Sequence, residues 1–130
     1  KQEYLDTAKR IAHYFIANIP EDGLIPVDFR QPAEPLWYDD TAAAIAACGL
    51  LEIAKEVGDL EKELYEGAAL KLLQALYREH CDFSMDSDCF LTKCTGSYHN
   101  EKDHEMPIIY GDYFFIEAML KLKGQDVFLW

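Results

Sequence analysis

No stretch of the chain approaches the roughly 18 consecutive apolar residues that a membrane span requires. Residues 1–10 lack the cationic-then-apolar layout of an export leader and read instead as the start of an amphipathic helix. With no export signal among these letters, the cytoplasm is the expected location. Positive charge is scarce too: 12 Lys and Arg face 24 Asp and Glu, a formal net charge of −12. Such a surface repels phosphate backbones and anionic lipid, so nucleic acid and membrane are excluded as expected partners. The same field opposes an acidic small molecule, and any anion site must supply local donors that outweigh it. A Cys-x-x-Cys knuckle is missing as well. Cys81, Cys89, Cys94, His99 and His104 follow one another with seven, four, four and four residues between them, which is no zinc-ligand spacing. Free thiols in a reducing compartment are expected, with Cys48 buried in a run of small apolar residues. No metal and no cofactor are expected.

What is present is apolar and periodic. Half the residues are hydrophobic and 13% are aromatic, which excludes disorder and predicts one folded domain over residues 1–130. Four helices follow from the pattern. The first covers residues 3–19, where Leu5, Ala8, Ile11, Ala12, Phe15 and Ile19 recur at three- and four-residue spacing. Pro20 and Gly23 end it. The second starts after the capping residues Asp39, Asp40 and Thr41 and runs to Val57. Residues 41–51 carry no charge at all, which predicts burial on every face. After the Gly58-Asp59 turn the third helix, residues 60–80, is amphipathic, with Leu60, Leu64, Ala68, Leu72, Leu76 and Tyr77 as its apolar stripe. A long polar segment without periodicity leads to the fourth helix, residues 112–123, apolar nearly all round.

Amphipathic, buried, amphipathic, buried is the order of an α/α barrel, in which outer helices face solvent and inner helices pack on both sides. A four-helix bundle would make all four alike. The two long connections, residues 20–38 and 81–110, each run from an outer helix to an inner one. In an up-and-down arrangement both therefore lie at one rim, together with the N-termini of both inner helices, whose free amides and dipole ends favour anions. The expected fold is all-α, about two α-hairpins of a partial α/α barrel with alternating outer and inner helices, and any site lies at that rim.

Two stretches carry a family likeness. Ile25-Pro26-Val27-Asp28-Phe29 precedes Asp39-Asp40-Thr41-Ala42-Ala43-Ala44-Ile45-Ala46-Ala47-Cys48-Gly49-Leu50-Leu51-Glu52, and Ile108-Ile109-Tyr110-Gly111-Asp112-Tyr113-Phe114-Phe115-Ile116-Glu117-Ala118 follows in the expected order. Together they resemble the C-terminal part of the unsaturated glucuronyl hydrolases, family 88 of the glycoside hydrolases. Asp40 departs from the family pattern, standing where a small hydroxyl residue is usual, and Val27 stands in place of an aromatic.

The resemblance implies a six-hairpin barrel of which this chain holds the last two hairpins. It implies a reaction in which an aspartate acid protonates C4 of the 4,5-double bond of an unsaturated uronate, water adds at C5, and the resulting hemiketal opens to release the next sugar. A vinyl ether rather than a glycosidic oxygen takes the proton, unlike ordinary two-carboxylate hydrolysis. The family's two aspartates lie on earlier helices, so no catalytic residue is expected here. A positioned acid contributes about 10²–10⁴-fold, so a chain without it should be close to inert.

Candidate binding residues gather in the second loop. The family likeness places residues 95–102 over an outer sugar subsite, where Ser97, Asn100 and Lys102 would offer hydroxyl, amide and ammonium donors to a sulfate or carboxylate. His99 lies among them, and Tyr110 would stack on a sugar face or join the core. The neighbours Glu101, Asp103 and Glu105 suit a simple solvated loop instead. Asp28 would line the rim. Asp39 and Asp112 would cap the inner helices, orient groups at the rim, or both.

The expected function is thus that of a fragment or truncated homologue of such a hydrolase, its partner an unsaturated uronate-containing oligosaccharide of glycosaminoglycan type. The alternative is a non-catalytic carbohydrate-binding or assembly module. Self-association through the exposed faces of the inner helices is expected in either case.

Overall fold

The structure is a computed structural model and describes residues 1–125. Helix α1 spans Gln2–Asn18, α2 Asp40–Glu56, α3 Asp59–Ala75 and α4 Ile109–Leu122. A π-helical turn, Leu76–His80, continues α3, and a 3₁₀ turn, Glu101–Asp103, interrupts the second loop. Among the described residues extended structure is limited to three isolated bridges, Pro26 with Tyr38, Cys81 with Leu91 and Cys94 with Met106. No helix among them is long and apolar enough to cross a membrane.

Helix α2 is the axis of the arrangement. It packs broadly against α3 and α4 and more narrowly against α1. Ala43, Ala44 and Ala47 are wholly buried there, and small side chains let the helix backbones approach closely. Leu50, Leu51 and Ile53 extend the same core toward Tyr65, Leu72, Leu73 and Leu76 of the α3 arm, and Phe115 and Ala118 bring in α4. Helix α1 contributes only Ala12 as a fully buried residue, as an outer helix should. It is tied to α3 by a 2.8 Å hydrogen bond between His13 Nε2 and the buried Tyr65 hydroxyl.

Three details differ from the sequence reading. Helix α4 begins at Ile109, three residues before Asp112, because Ile108 takes the extended cap position without any side-chain acceptor. The α3 stripe is rotated: Ala68, Leu72 and Leu76 are buried, but Leu60 is 97% exposed and Leu64 and Tyr77 are exposed as well. Successive four-residue steps advance 400°, so a stripe drawn that way drifts about 40° per step and, followed back from the buried Leu76, leaves the core face by Leu64 and Leu60. Lastly, α2 is not buried on every face, since Ile45 is 43% exposed and Gly49 is open to solvent. Ile109, Tyr110, Ile116 and Leu122 of α4 are likewise exposed.

At the end of the molecule away from the long loops, α2 and α4 are joined by charge. Lys121 Nζ lies 2.6 Å from Glu52 and 3.1 Å from Glu117, its side chain 1% exposed. Burial works against that ammonium, yet the hydrogen bonds to the two carboxylates outweigh it and hold Lys121 above its ordinary value.

Candidate functional site

Both long loops and the N-termini of α2 and α4 meet at one rim. Asp39 caps α2, its Oδ1 accepting from the Thr41 amide at 3.1 Å and from the Thr95 amide of the other loop at 3.3 Å. Burial pushes its carboxyl above the ordinary range, the amides of Thr95, Ala42 and Thr41 pull it back, and the charge of Asp40 adds to the rise.

Asp40 itself is 2% exposed. Its Oδ1 sits 2.6 Å from His80 Nδ1, its Oδ2 accepts from the Lys93 amide at 2.8 Å, and its own amide donates to the Lys93 carbonyl at 3.1 Å. The His80 carbonyl in turn accepts from the Thr92 amide and hydroxyl. Residues 92–95 are therefore clipped between the end of the α3 arm and the start of α2.

Asp112 plays the matching part on α4, though not as its cap. It is the fourth residue of the helix, 7% exposed, and its carboxylate turns outward to accept from the Phe90 and Leu91 amides at 3.1 and 2.8 Å. The expectation that Asp112 caps its own helix is corrected: starting α4 three residues earlier leaves the carboxylate free to hold the neighbouring loop. Between the two helix starts the approach is close. A Cβ on Gly111 would stand 2.8 Å from Cys94 Sγ and 3.0 Å from Thr41 Oγ1, so the position has room only for hydrogen.

Around this frame lies an aromatic fringe. Trp37 and His104 pack with ring centroids 4.6 Å apart and planes tilted by 37°, His104 Nε2 donates to the Tyr98 carbonyl at 2.7 Å, and Lys93 Nζ hangs 5.3 Å from the Tyr38 ring centroid. Burial raises the thiols of Cys48 and Cys81 to about 12 and that of Cys94 to about 11, so none of the three is a nucleophile at neutral pH. Among the described residues no three His, Cys, Asp or Glu side chains gather as a metal site.

No family model matches the chain. It is 40% identical, over 93% of its own length, to the unsaturated glucuronyl hydrolase of Bacillus sp. (strain GL1), covering 33% of that protein. It is 31% identical to the unsaturated chondroitin disaccharide hydrolase of Streptococcus pyogenes serotype M1, over 92% of this chain and 31% of that one. The crystal structure of the Bacillus sp. GL1 enzyme superposes with a TM-score of 0.80 at 36% identity, covering 95% of this chain and 34% of the other. The chain is homologous to one third of an unsaturated glucuronyl hydrolase. Its fold is accordingly part of that family's helical barrel, two hairpins of the (α/α)6 ring with α1 and α3 outside and α2 and α4 inside. The chain spans about a third of the length of the curated relatives it matches.

Seen as part of a glucuronyl hydrolase barrel, the rim brings some sequence candidates together and separates others. Asp39 and Asp112 both hold loop amides at the mouth. Asp28, exposed, accepts from the Arg30 amide at 2.7 Å and shapes its own turn. Asn100 spends its amide within the loop, Nδ2 donating to Asp103 at 2.8 Å and Oδ1 accepting from the Lys102 amide at 3.3 Å. Ser97 is half-buried beside it, while His99, Lys102 and Tyr110 are exposed. Asp40 paired with His80, and the Trp37–His104 ring contact, were not legible as partnerships. Asp40 stood out as a capping residue and as a departure from the family pattern, and its partner lies 40 residues away with no periodic link.

Proposed function

We propose that this chain is the C-terminal third of an unsaturated glucuronyl hydrolase, a fragment or truncated homologue that carries the rim and lacks the acid. In the whole enzyme the chemistry is protonation of the 4,5-double bond of a terminal unsaturated uronate and addition of water at C5. The substrates would be oligosaccharides that polysaccharide lyases release, of glycosaminoglycan type. One observation carries the reading: the N-termini of α2 and α4, with both long loops, open on one mouth in a chain 40% identical to the Bacillus enzyme.

In that mouth Ser97, His99, Asn100 and Lys102 face the outer sugar and Tyr110 stands beside it, with Asp28, Asp39 and Asp112 holding the rim in shape. The four unpaired thiols suit a reducing compartment, and we place the protein in the cytoplasm. A net charge of −12 keeps nucleic acid away. The exposed faces of the inner helices are surfaces for self-association.

Turnover is read as loss of absorbance from the conjugated uronate of an unsaturated disaccharide. The chain alone should be silent, and a chimera joining it to the preceding two thirds of the Bacillus sp. GL1 enzyme should turn over. Activity in the isolated chain would defeat the argument that the acid lies elsewhere. Micromolar binding of the disaccharide to the isolated chain by calorimetry would favour a binding module instead.

A further inference from the structure

Two side chains at the rim are shut away from solvent, yet the loop that would meet the outer sugar hangs on them. Asp40 is 2% and His80 5% exposed, and their 2.6 Å bond ties the start of α2 to the end of the α3 arm. Burying a carboxylate is costly unless it is paired and hydrogen-bonded. Here both oxygens are in use, Oδ1 by His80 and Oδ2 by the Lys93 amide at 2.8 Å. A serine or threonine hydroxyl, usual at this position in the family pattern, offers one oxygen on a shorter arm and cannot meet both donors. The Tyr38 ring braces His80 from the side, edge-on with centroids 5.0 Å apart.

What the pair holds is the neck of a lobe. Lys93 is bonded to Asp40 through its amide and its carbonyl alike, and Cys94 and Met106 exchange amide–carbonyl bonds of 3.1 and 2.7 Å just beyond. Residues 96–104 then bond among themselves: Gly96 to Asp103 at 2.9 Å, Asn100 to Asp103 at 2.8 Å, and His104 to the Tyr98 carbonyl at 2.7 Å. A unit closed on itself is aimed from its neck. Thr95 leans on Asp39 and Tyr38, and His104 leans on Trp37; the Asp40–His80 pair adds the tie to the α3 arm.

Resting on the reading above, in which this lobe faces the outer sugar, we infer that Asp40 and His80 are positioning residues that set recognition of that sugar. They touch neither the sugar nor the double bond, and fix instead where Ser97 and Asn100 stand. Their contribution is to binding of the sugar that leaves, while protonation takes place on the uronate ring. Contacts that are equally strong in the ground and transition states lower KM and leave kcat alone.

The test uses the chimera with the Bacillus sp. GL1 enzyme and two substrates, an unsaturated disaccharide and the same unsaturated uronate as its methyl glycoside. Asp40→Ala should raise KM for the disaccharide about tenfold, the size of losing one or two hydrogen bonds, with kcat within about twofold. The methyl glycoside has no outer sugar and should keep its KM and kcat. His80→Ala should act likewise, and the two changes together should do no worse than either, since each alone breaks the pair. Asp40→Asn keeps an oxygen for the Lys93 amide and offers its own amide to the other His80 tautomer, so it should restore most of the binding. A histidine buried without its partner can loosen the rim, so urea midpoints accompany each variant. Asp40→Ala with His80→Leu, which leaves no buried imidazole or carboxylate alone, repeats the kinetics in a stable frame. Equal losses on both substrates, a fall in kcat alone, or an unchanged KM for the disaccharide would each overturn the positioning role and leave the family reading standing. A chimera of unaltered sequence that turns over neither substrate would end the family reading, and this inference with it.

Discussion

Gly111 decides how near the two inner helices start. With Cys94 Sγ 2.8 Å from where a Cβ would sit, Gly111→Ala forces the sulfur or the helix to move and should cost about 1–3 kcal/mol. Cys94→Ala should lose little more when combined with Gly111→Ala, because the shortened side chain vacates the space. Urea unfolding of the two single variants and the double closes the cycle, and simple additivity would refute the clash. At Asp39 the sign follows from a carboxyl held above its ordinary range. The folded state keeps this proton to higher pH than the unfolded chain, so the contribution is fully present below the unfolded value and is lost as pH rises through the folded one. Asp39→Asn keeps a good capping oxygen and removes the buried charge beside Asp40. Urea unfolding over about pH 4–7 should show the variant gaining on wild type as pH rises, in the range where carboxyls titrate; parallel profiles would refute it. Single residues were the least legible scale. A capping Asp is visible in letters, whereas Asp40 bonding His80, or Asp112 holding another loop, depends on partners more than 20 positions away.

Elements were legible where periodicity spoke and shifted where it did not. The four helices stand within three residues of their predicted limits at the start and fewer at most other boundaries, apart from α3, whose last turn is wound as a π-helical turn. The likeness of the inner helices to family motifs survives in place. The stretch 81–108 had no period to read, and its order comes from carboxylates that hold its amides together with the burial of Leu91 and Cys94 in the core. Asp112→Ala would leave the Phe90 and Leu91 amides unanswered, the latter in a wholly buried residue, a loss of about 2–3 kcal/mol. Hydrogen exchange should quicken at residues 82–91 well before it quickens in α2. Uniform acceleration across the chain would mean that the loop is not held as a separate unit.

On the scale of the whole molecule, the alternation of amphipathic and apolar helices predicted inside and outside correctly, and the placing of both long loops predicted a single mouth. Exposed faces on the inner helices were expected as well, and among the described residues Ile45, Ile109 and Ile116 are open to solvent. Sequence pattern records which residues want burial, not whether the same chain supplies the cover.

The three rim carboxylates carry a consequence for assembly. Asp39, Asp40 and Asp112 bind loop amides inside this chain, so the mouth takes its form while the ring is still open. Ordering a loop residue costs roughly 1–2 kcal/mol, and over two long loops that sum would cancel most of what an apolar seam returns. Here it is met beforehand. Whatever completes the circle meets a prefabricated arc rather than slack rope, and should dock quickly, as rigid bodies do, with the seams alone setting how long it stays.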